Sequence, residues 1–188
     1  MKEQDIISGC KEKDNRSQKA FVDQYSAYLY GVCRRYINDK ELIKDCLQDA
    51  LVKVLSNMDK YEDQGKFKPW IARIAATECL QTIRRNKRFT FYNVDDLEPV
   101  SVQEEVSFKL ELADVLAFLD SLSINYRVAI NMYIIEGYSH KEIAEHLNIT
   151  ESSSRSLVAR GRKMINDLFH KDQMRVVHFS NGKTKTSY

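Results

Sequence analysis

Proline and glycine are scarce, two and six residues in a chain of 188. Strong breaks are correspondingly few, and no stretch alternates strictly between apolar and polar residues, so the pattern tilts towards helix. Long apolar runs are missing as well, and none approaches the ~18 residues that a membrane-spanning helix needs. Met1 to Asp5 is polar and lacks a signal-peptide core, so residence in the cytoplasm is expected. Cys10, Cys33, Cys46 and Cys79 lie far apart, with no CxxC pair and no Cys/His cluster. That spacing predicts separate, reduced, buried thiols and no metal site. His140, His146, His170 and His178 form no triad or ligand set, and no phosphate-binding loop occurs. No catalytic residue, cofactor or small-molecule substrate is therefore expected.

Charged residues make up 30% and hydrophobic residues 43% of the chain, ordinary values for a globular protein of one large or two small domains. The formal net charge of +2 is too small to identify a nucleic-acid binder, but the distribution is more informative. Asp95, Asp96, Glu98, Glu104, Glu105, Glu111 and Asp114 face a lone Lys109 between Phe89 and Asp114. Arg84-Arg85-Asn86-Lys87-Arg88 precedes that acidic stretch, and basic residues return from Arg155 to Lys163. A nearly neutral total hides two basic regions around an acidic middle.

Apolar residues at spacings of three and four predict helices from about Ser8 to Arg88, with Leu47, Ala50, Leu51, Val54 and Met58 as one stripe. Gly65 and Pro69 bracket the one strong break, Tyr61 to Trp70. Periodicity fades from Phe89 to about Val106, around Pro99, and resumes with Leu112, Val115, Leu116 and Leu119 up to about Phe169. The expected architecture is all-α: a helical domain over 8–88, an acidic linker over 89–108, a helix-turn-helix domain over 109–170 and a loose polar tail over 171–188.

The sharpest local signal runs from Gly137 to Leu168. Gly137 suits the residue that closes a helix in left-handed geometry. Ser139-His140-Lys141-Glu142 reads as a capping box, and Ile143, Ala144 and Leu147 give the short helix behind it one apolar face. Asn148 tolerates a left-handed turn and Thr150 suits an N-cap, so a second helix follows at once. Two short helices so joined, the second rich in arginine, suit a DNA-reading helix-turn-helix. A wheel at ~100° per residue gathers Leu157, Gly161, Met164, Ile165 and Leu168 on one side, with Val158 at its edge. Ser152, Arg155, Ser156, Ala159, Arg162 and Lys163 occupy the other. Ser152, Ser153, Arg155 and Ser156 are candidates for base edges and nearby phosphates, and Arg160, Arg162 and Lys163 for backbone phosphates. An ordinary solvated basic helix is the competing reading.

Asp45, Gln48, Asp49, Val52 and Ser56 share a helix face opposite Leu47, Leu51 and Val54; it is either a solvated surface or one that docks a protein. The next helix carries Trp70, Arg73, Thr77, Gln81, Arg84 and Arg88 along one side, and aromatic and basic groups so combined suit unstacked bases and a phosphate backbone. Tyr61 and Phe67 join Trp70 around the Asp63-Gln64-Gly65-Lys66 loop. A place in the core is the other reading for Phe67 and Trp70.

Together these residues resemble the two-domain extracytoplasmic-function sigma factors of the sigma-70 family, over roughly residues 16–170. The resemblance rests on Ala20-Phe21 with Tyr25, Asp45-Cys46-Leu47-Gln48-Asp49, Phe67-Lys68-Pro69-Trp70-Ile71-Ala72-Arg73-Ile74-Ala75 and Arg84-Arg85. Further on it rests on Leu119-Asp120-Ser121-Leu122, Tyr133 to Ser139, Glu142 to Leu147 and Glu151 to Ser156. It implies that Asp45, Gln48, Asp49 and Val52 dock on the clamp of the largest subunit of core RNA polymerase, with a second contact to the flap of the second-largest. It further implies that Tyr61, Phe67, Trp70, Arg73, Thr77, Gln81, Arg84 and Arg88 melt and hold minus-ten DNA as single strand. Ser152, Ser153, Arg155, Ser156, Ala159, Arg160, Arg162 and Lys163 would read the minus-thirty-five duplex, and the acidic linker would enter the RNA-exit path. The resemblance also implies an anti-sigma partner able to hold the protein at the inner membrane, and a monomer when free.

Departures from the family pattern concern sequence preference. Thr77 and Gln81 stand where the family often has Asn and Asp, and Ser152-Ser153-Ser154 replaces Gly-Thr-Val. Leu157 and Ala159 replace Arg and His. Ser154 falls on the core side of the wheel, where its hydroxyl is expected to bond the preceding helical turn. A DNA-binding regulator that works without polymerase, using residues 8–88 for sensing or dimerisation, is the alternative function.

Overall fold

The computed structural model describes residues 1–62, 65–85 and 112–181, without the side chains of 112–115 and 169–181. Helices α1 (Glu3–Lys11), α2 (Asn15–Tyr36), α3 (Lys40–Ser56) and α4 (Phe67–Arg85) build an N-terminal unit. Helices α5 (Leu112–Ser121), α6 (Ile124–Ile130), α7 (His140–Leu147) and α8 (Glu151–Asn181) build a C-terminal one. No strand occurs among the described residues. The acidic linker and Arg88 lie outside them.

In the N-terminal unit α2, α3 and α4 pack against one another and α1 lies on α2. The helix starts follow from their caps. Asp14 accepts from the Ser17 amide at 2.8 Å, and Asp39 accepts from the Glu41 and Leu42 amides at 2.9 and 3.1 Å. The core is centred on Phe21, Tyr25, Leu29, Val32, Ile43, Ala50, Val54, Ile71 and Ala75, all essentially inaccessible. On α3 the buried line is Ile43, Cys46, Ala50 and Val54, with Leu47 and Leu51 only half-buried, so the apolar stripe is rotated from the expected one. Helix α1 begins before Ser8 because Ile6, Ile7 and Cys10 supply a small apolar face that is buried. Tyr25 donates to Glu3 at 2.6 Å and Lys11 Nζ donates to the Tyr61 carbonyl at 2.7 Å, which fastens α1 at both ends.

In the C-terminal unit Leu119, Leu122, Ala129, Ile130, Leu157 and Val158 form one cluster. Arg127, only 4% exposed, donates through Nε to the Leu119 carbonyl at 2.7 Å and pairs with Asp120 at 3.5 Å, which fixes the turn between α5 and α6. A π-helical turn, Asn131–Ile135, follows α6. Gly161 packs so closely on Ile130 that a Cβ there would lie 2.8 Å from Ile130 Cγ1. The inward face of α8 is therefore Leu157, Val158 and Gly161, with Ile165 half-buried, while Met164 is 38% exposed and not the core residue the wheel suggested. Helix α8 also runs to Asn181, past the expected end near Phe169, since no Pro or Gly lies between Phe169 and Gly182.

Candidate nucleic-acid interface

The helix-turn-helix is built as its local chemistry requires. Gly137 has φ +74°. The Ser139 hydroxyl accepts from the Glu142 amide at 3.2 Å while the Glu142 carboxylate accepts from the Ser139 amide at 2.7 Å, a complete capping box. Asn148 takes the left-handed conformation, φ 55° and ψ 49°, and closes α7. The Ser153 amide donates to Thr150 Oγ1 at 3.0 Å, which caps the start of α8.

That cap corrects one candidate. Ser153 is fully buried, with its hydroxyl accepting from Thr150 Oγ1 at 2.8 Å, so it serves the helix start and offers nothing to a base edge. Ser154 is also buried, but its hydroxyl shares a 3.0 Å hydrogen bond with His140 Nδ1 of α7; it does not bond the preceding turn of its own helix. Ser152, Arg155 and Lys163 are exposed, and Ser156, Ala159, Arg160 and Arg162 are half-buried along the same outer side. Arg155 pairs with Glu151 one turn back at 2.5 Å. Arg162 is held over the Tyr133 ring, 5.4 Å from its centre, and that ring stacks on His140 at 4.3 Å. Burial and the positive charges of Arg155 and Arg162 lower the His140 pKa. Tyr133 and His140 thus position an arginine of the candidate surface, a role no helical periodicity could reveal because the three come from separate elements.

In the N-terminal unit Asp45, Gln48, Asp49 and Val52 are all exposed on one side of α3, Val52 at 59%. Arg85 approaches Asp49 at 3.4 Å, a water-exposed pair of small energetic worth. The expected DNA face of α4 divides. Arg73, Gln81 and Arg84 are exposed, and Thr77 is half-buried with its hydroxyl donating to the Arg73 carbonyl at 2.9 Å. Tyr61 and Phe67 are buried, at 4% and 1% exposure, in an aromatic nest with Phe21 and Tyr25. Phe67 faces Tyr25 edge-on at 5.3 Å and Tyr61 faces Phe67 at 5.1 Å, so both are core residues and neither offers a face to a base. Trp70 caps that nest, 5.0 Å from Tyr61 and half-buried, and is the aromatic at the surface.

The cysteines depart furthest from expectation. All four are buried and reduced. Cys33, Cys46 and Cys79, however, bring their sulfurs within 4.8 Å of one another.

A helix-turn-helix whose second helix carries exposed Ser152, Arg155 and Lys163 marks the C-terminal unit as one of a DNA-binding class. The family model for Sigma-70 region 2 matches residues 21–89, and that for Sigma-70 region 4 matches residues 112–165. The ECF RNA polymerase sigma factor SigM of Bacillus subtilis is 27% identical over 154 residues, 78% of this chain and 93% of that one. SigX of the same organism is 29% identical over 156 residues, covering 76% and 78%. The sigma factor RpoE of Bartonella quintana, solved in complex with the anti-sigma factor NepR, shares the fold with TM-score 0.51 and 22% identity over 81% of this chain and 96% of that one. The chain belongs to the extracytoplasmic-function group of the sigma-70 family of RNA polymerase sigma factors. Its function is promoter recognition in transcription initiation. No helix among the described residues is long and apolar enough to cross a membrane.

Proposed function

We propose that the two units divide promoter recognition, the C-terminal one reading duplex at the minus-thirty-five element and the N-terminal one holding melted minus-ten DNA. The observation that carries this reading is the pairing of two chemically different surfaces. Ser152, Arg155 and Ser156 lie on the first turns of the second helix of a helix-turn-helix, with Lys163 further along the same side, suited to a groove and its backbone. Trp70, Arg73, Gln81 and Arg84 lie along one helix side, suited to a stacked base and a single-strand backbone. Extracting a base from the stack costs on the order of a few kcal/mol, which stacking on Trp70 and phosphate contacts to the arginines offset.

Asp45, Gln48, Asp49 and Val52 are the docking face for the polymerase clamp: acids and an amide ring an exposed valine, an arrangement that joins charge steering to apolar contact. The C-terminal unit meets the flap, the acidic linker follows the RNA-exit path, and the protein contributes no catalytic step of its own. It acts in the cytoplasm as a monomer until it joins the core enzyme. An anti-sigma factor, such as the one bound to the Bartonella relative, competes for these surfaces. Reversing Asp45 and Asp49 to lysine tests the docking face. The double variant should keep its helical circular dichroism and lose co-purification with core polymerase, whereas normal co-purification would refute the assignment.

A further inference from the structure

Cys33 on α2, Cys46 on α3 and Cys79 on α4 meet at one buried point, one sulfur from each helix of the N-terminal core. Cys46 and Cys79 approach to 3.2 Å and all three sulfurs lie within 4.8 Å of one another. A disulfide needs ~2.05 Å between two sulfurs and would leave the third thiol out. A tetrahedral ion with metal–sulfur bonds of ~2.3 Å sets its sulfurs about 3.8 Å apart, within the range the three already span. We propose that Cys33, Cys46 and Cys79 form a three-thiolate site for a divalent, sulfur-preferring metal ion of the zinc class.

The electrostatics of the trio suit such an ion. Hydrogen bonds from Cys33 and Cys79 draw the Cys46 pKa down to about 4, and the same bonds push the other two thiols up. A metal ion of this class binds sulfur as thiolate, so its binding displaces the thiol protons. Three thiolates around a divalent ion leave one negative charge, which an interior tolerates only with compensation nearby. The Thr82 hydroxyl bonds Cys46, which gives a bound sulfur one hydrogen-bond donor, and exposed Arg85 in turn donates to Thr82 and Asp49 at 3.4 Å. A monovalent ion would leave two uncompensated charges.

Cys10 is buried too but belongs to no such cluster, which makes it the internal control. The site would hold α3, with the proposed docking face, against α4, with the proposed single-strand face; that consequence rests on the functional reading above, whereas metal binding does not. The full chain, kept reduced and stripped with a chelator, should take up one zinc per molecule in competition with a chromophoric chelator and unfold at a higher temperature once loaded. Cobalt in place of zinc should give a sulfur-to-metal charge-transfer band of a three-thiolate site. Cys46→Ser and Cys79→Ala should each lower zinc affinity at least tenfold and Cys10→Ala should not. The cobalt spectrum of the unaltered chain reads the ligand set even where a variant fails to fold. A reduced chain that competes for neither zinc nor cobalt, a Cys10→Ala chain that loses binding equally, or a Cys46–Cys79 disulfide in place of bound metal would overturn the proposal.

Discussion

Glycine to alanine in a helix interior should act in opposite directions at Gly31 and Gly161. Both residues lie mid-helix with ordinary helical φ, in α2 and α8, where alanine is favoured over glycine by roughly 0.5–1 kcal/mol. Nothing lies within 4 Å of a Cβ built at Gly31, so Gly31→Ala should stabilise the N-terminal unit by about that amount. At Gly161 the same Cβ would stand 2.8 Å from Ile130 Cγ1 and 3.1 Å from Cδ1, both in the core between α6 and α8. Overpacking of that kind costs about 1–3 kcal/mol, so Gly161→Ala should destabilise the C-terminal unit by about 1–2 kcal/mol after the helical gain. Trp70 is the one tryptophan and lies in the N-terminal unit, so urea unfolding followed by fluorescence reads Gly31→Ala, while far-ultraviolet circular dichroism reads both units. In an Ile130→Ala background the cost of Gly161→Ala should vanish, the sign of direct coupling. If Gly161→Ala stabilised the protein as Gly31→Ala does, or its cost were unchanged without the Ile130 side chain, the close packing of α6 on α8 would be refuted.

Phe67→Ala should cost about 3–5 kcal/mol of stability, measured by urea unfolding, because Phe67 fills the aromatic nest; Trp70→Ala should cost less and reduce promoter opening by permanganate footprinting. A Phe67 variant that is fully stable but defective only in opening would contradict the core assignment. Stability of the C-terminal unit should fall as pH drops below the ordinary histidine range. In the native state burial and the charges of Arg155 and Arg162 keep His140 neutral, while the unfolded chain takes up the proton first. His140→Asn should flatten that dependence in thermal melts across pH 5–8. Arg155→Ala should change stability by no more than about 0.5 kcal/mol, since its pair with Glu151 is exposed. In filter binding of holoenzyme to upstream-element variants it should weaken binding by ~1–3 kcal/mol at one base position. A uniform loss across sequences would make it a phosphate contact.

What the sequence discloses here is what lies within one element or one turn. The Ser139 capping box, left-handed Asn148, the Thr150 cap and the exposed Asp45–Val52 face all follow from neighbours within about four residues. What it conceals depends on where helices meet. Tyr61 and Phe67 flank a polar loop and look available, yet Phe21 and Tyr25 of α2 pack on Phe67, and Tyr61 packs between Phe67 and Trp70. Ser153 sits in a polar run that reads as surface until Thr150 turns it inward. Rotation of α8 about its axis is set by Gly161 on Ile130, which exposes Met164 although it belongs to the same apolar side of the wheel. The three cysteines carry no spacing signature at all, because each comes from a different helix.

The most direct test of promoter recognition is transcription in vitro from genomic fragments with purified core polymerase, with and without the chain. Defined start sites should arise only when both are present, and the isolated chain should bind the same duplexes weakly. Tight binding of the free chain to an operator, with core polymerase adding nothing and no start site gained, would contradict the account and favour a regulator that acts without polymerase.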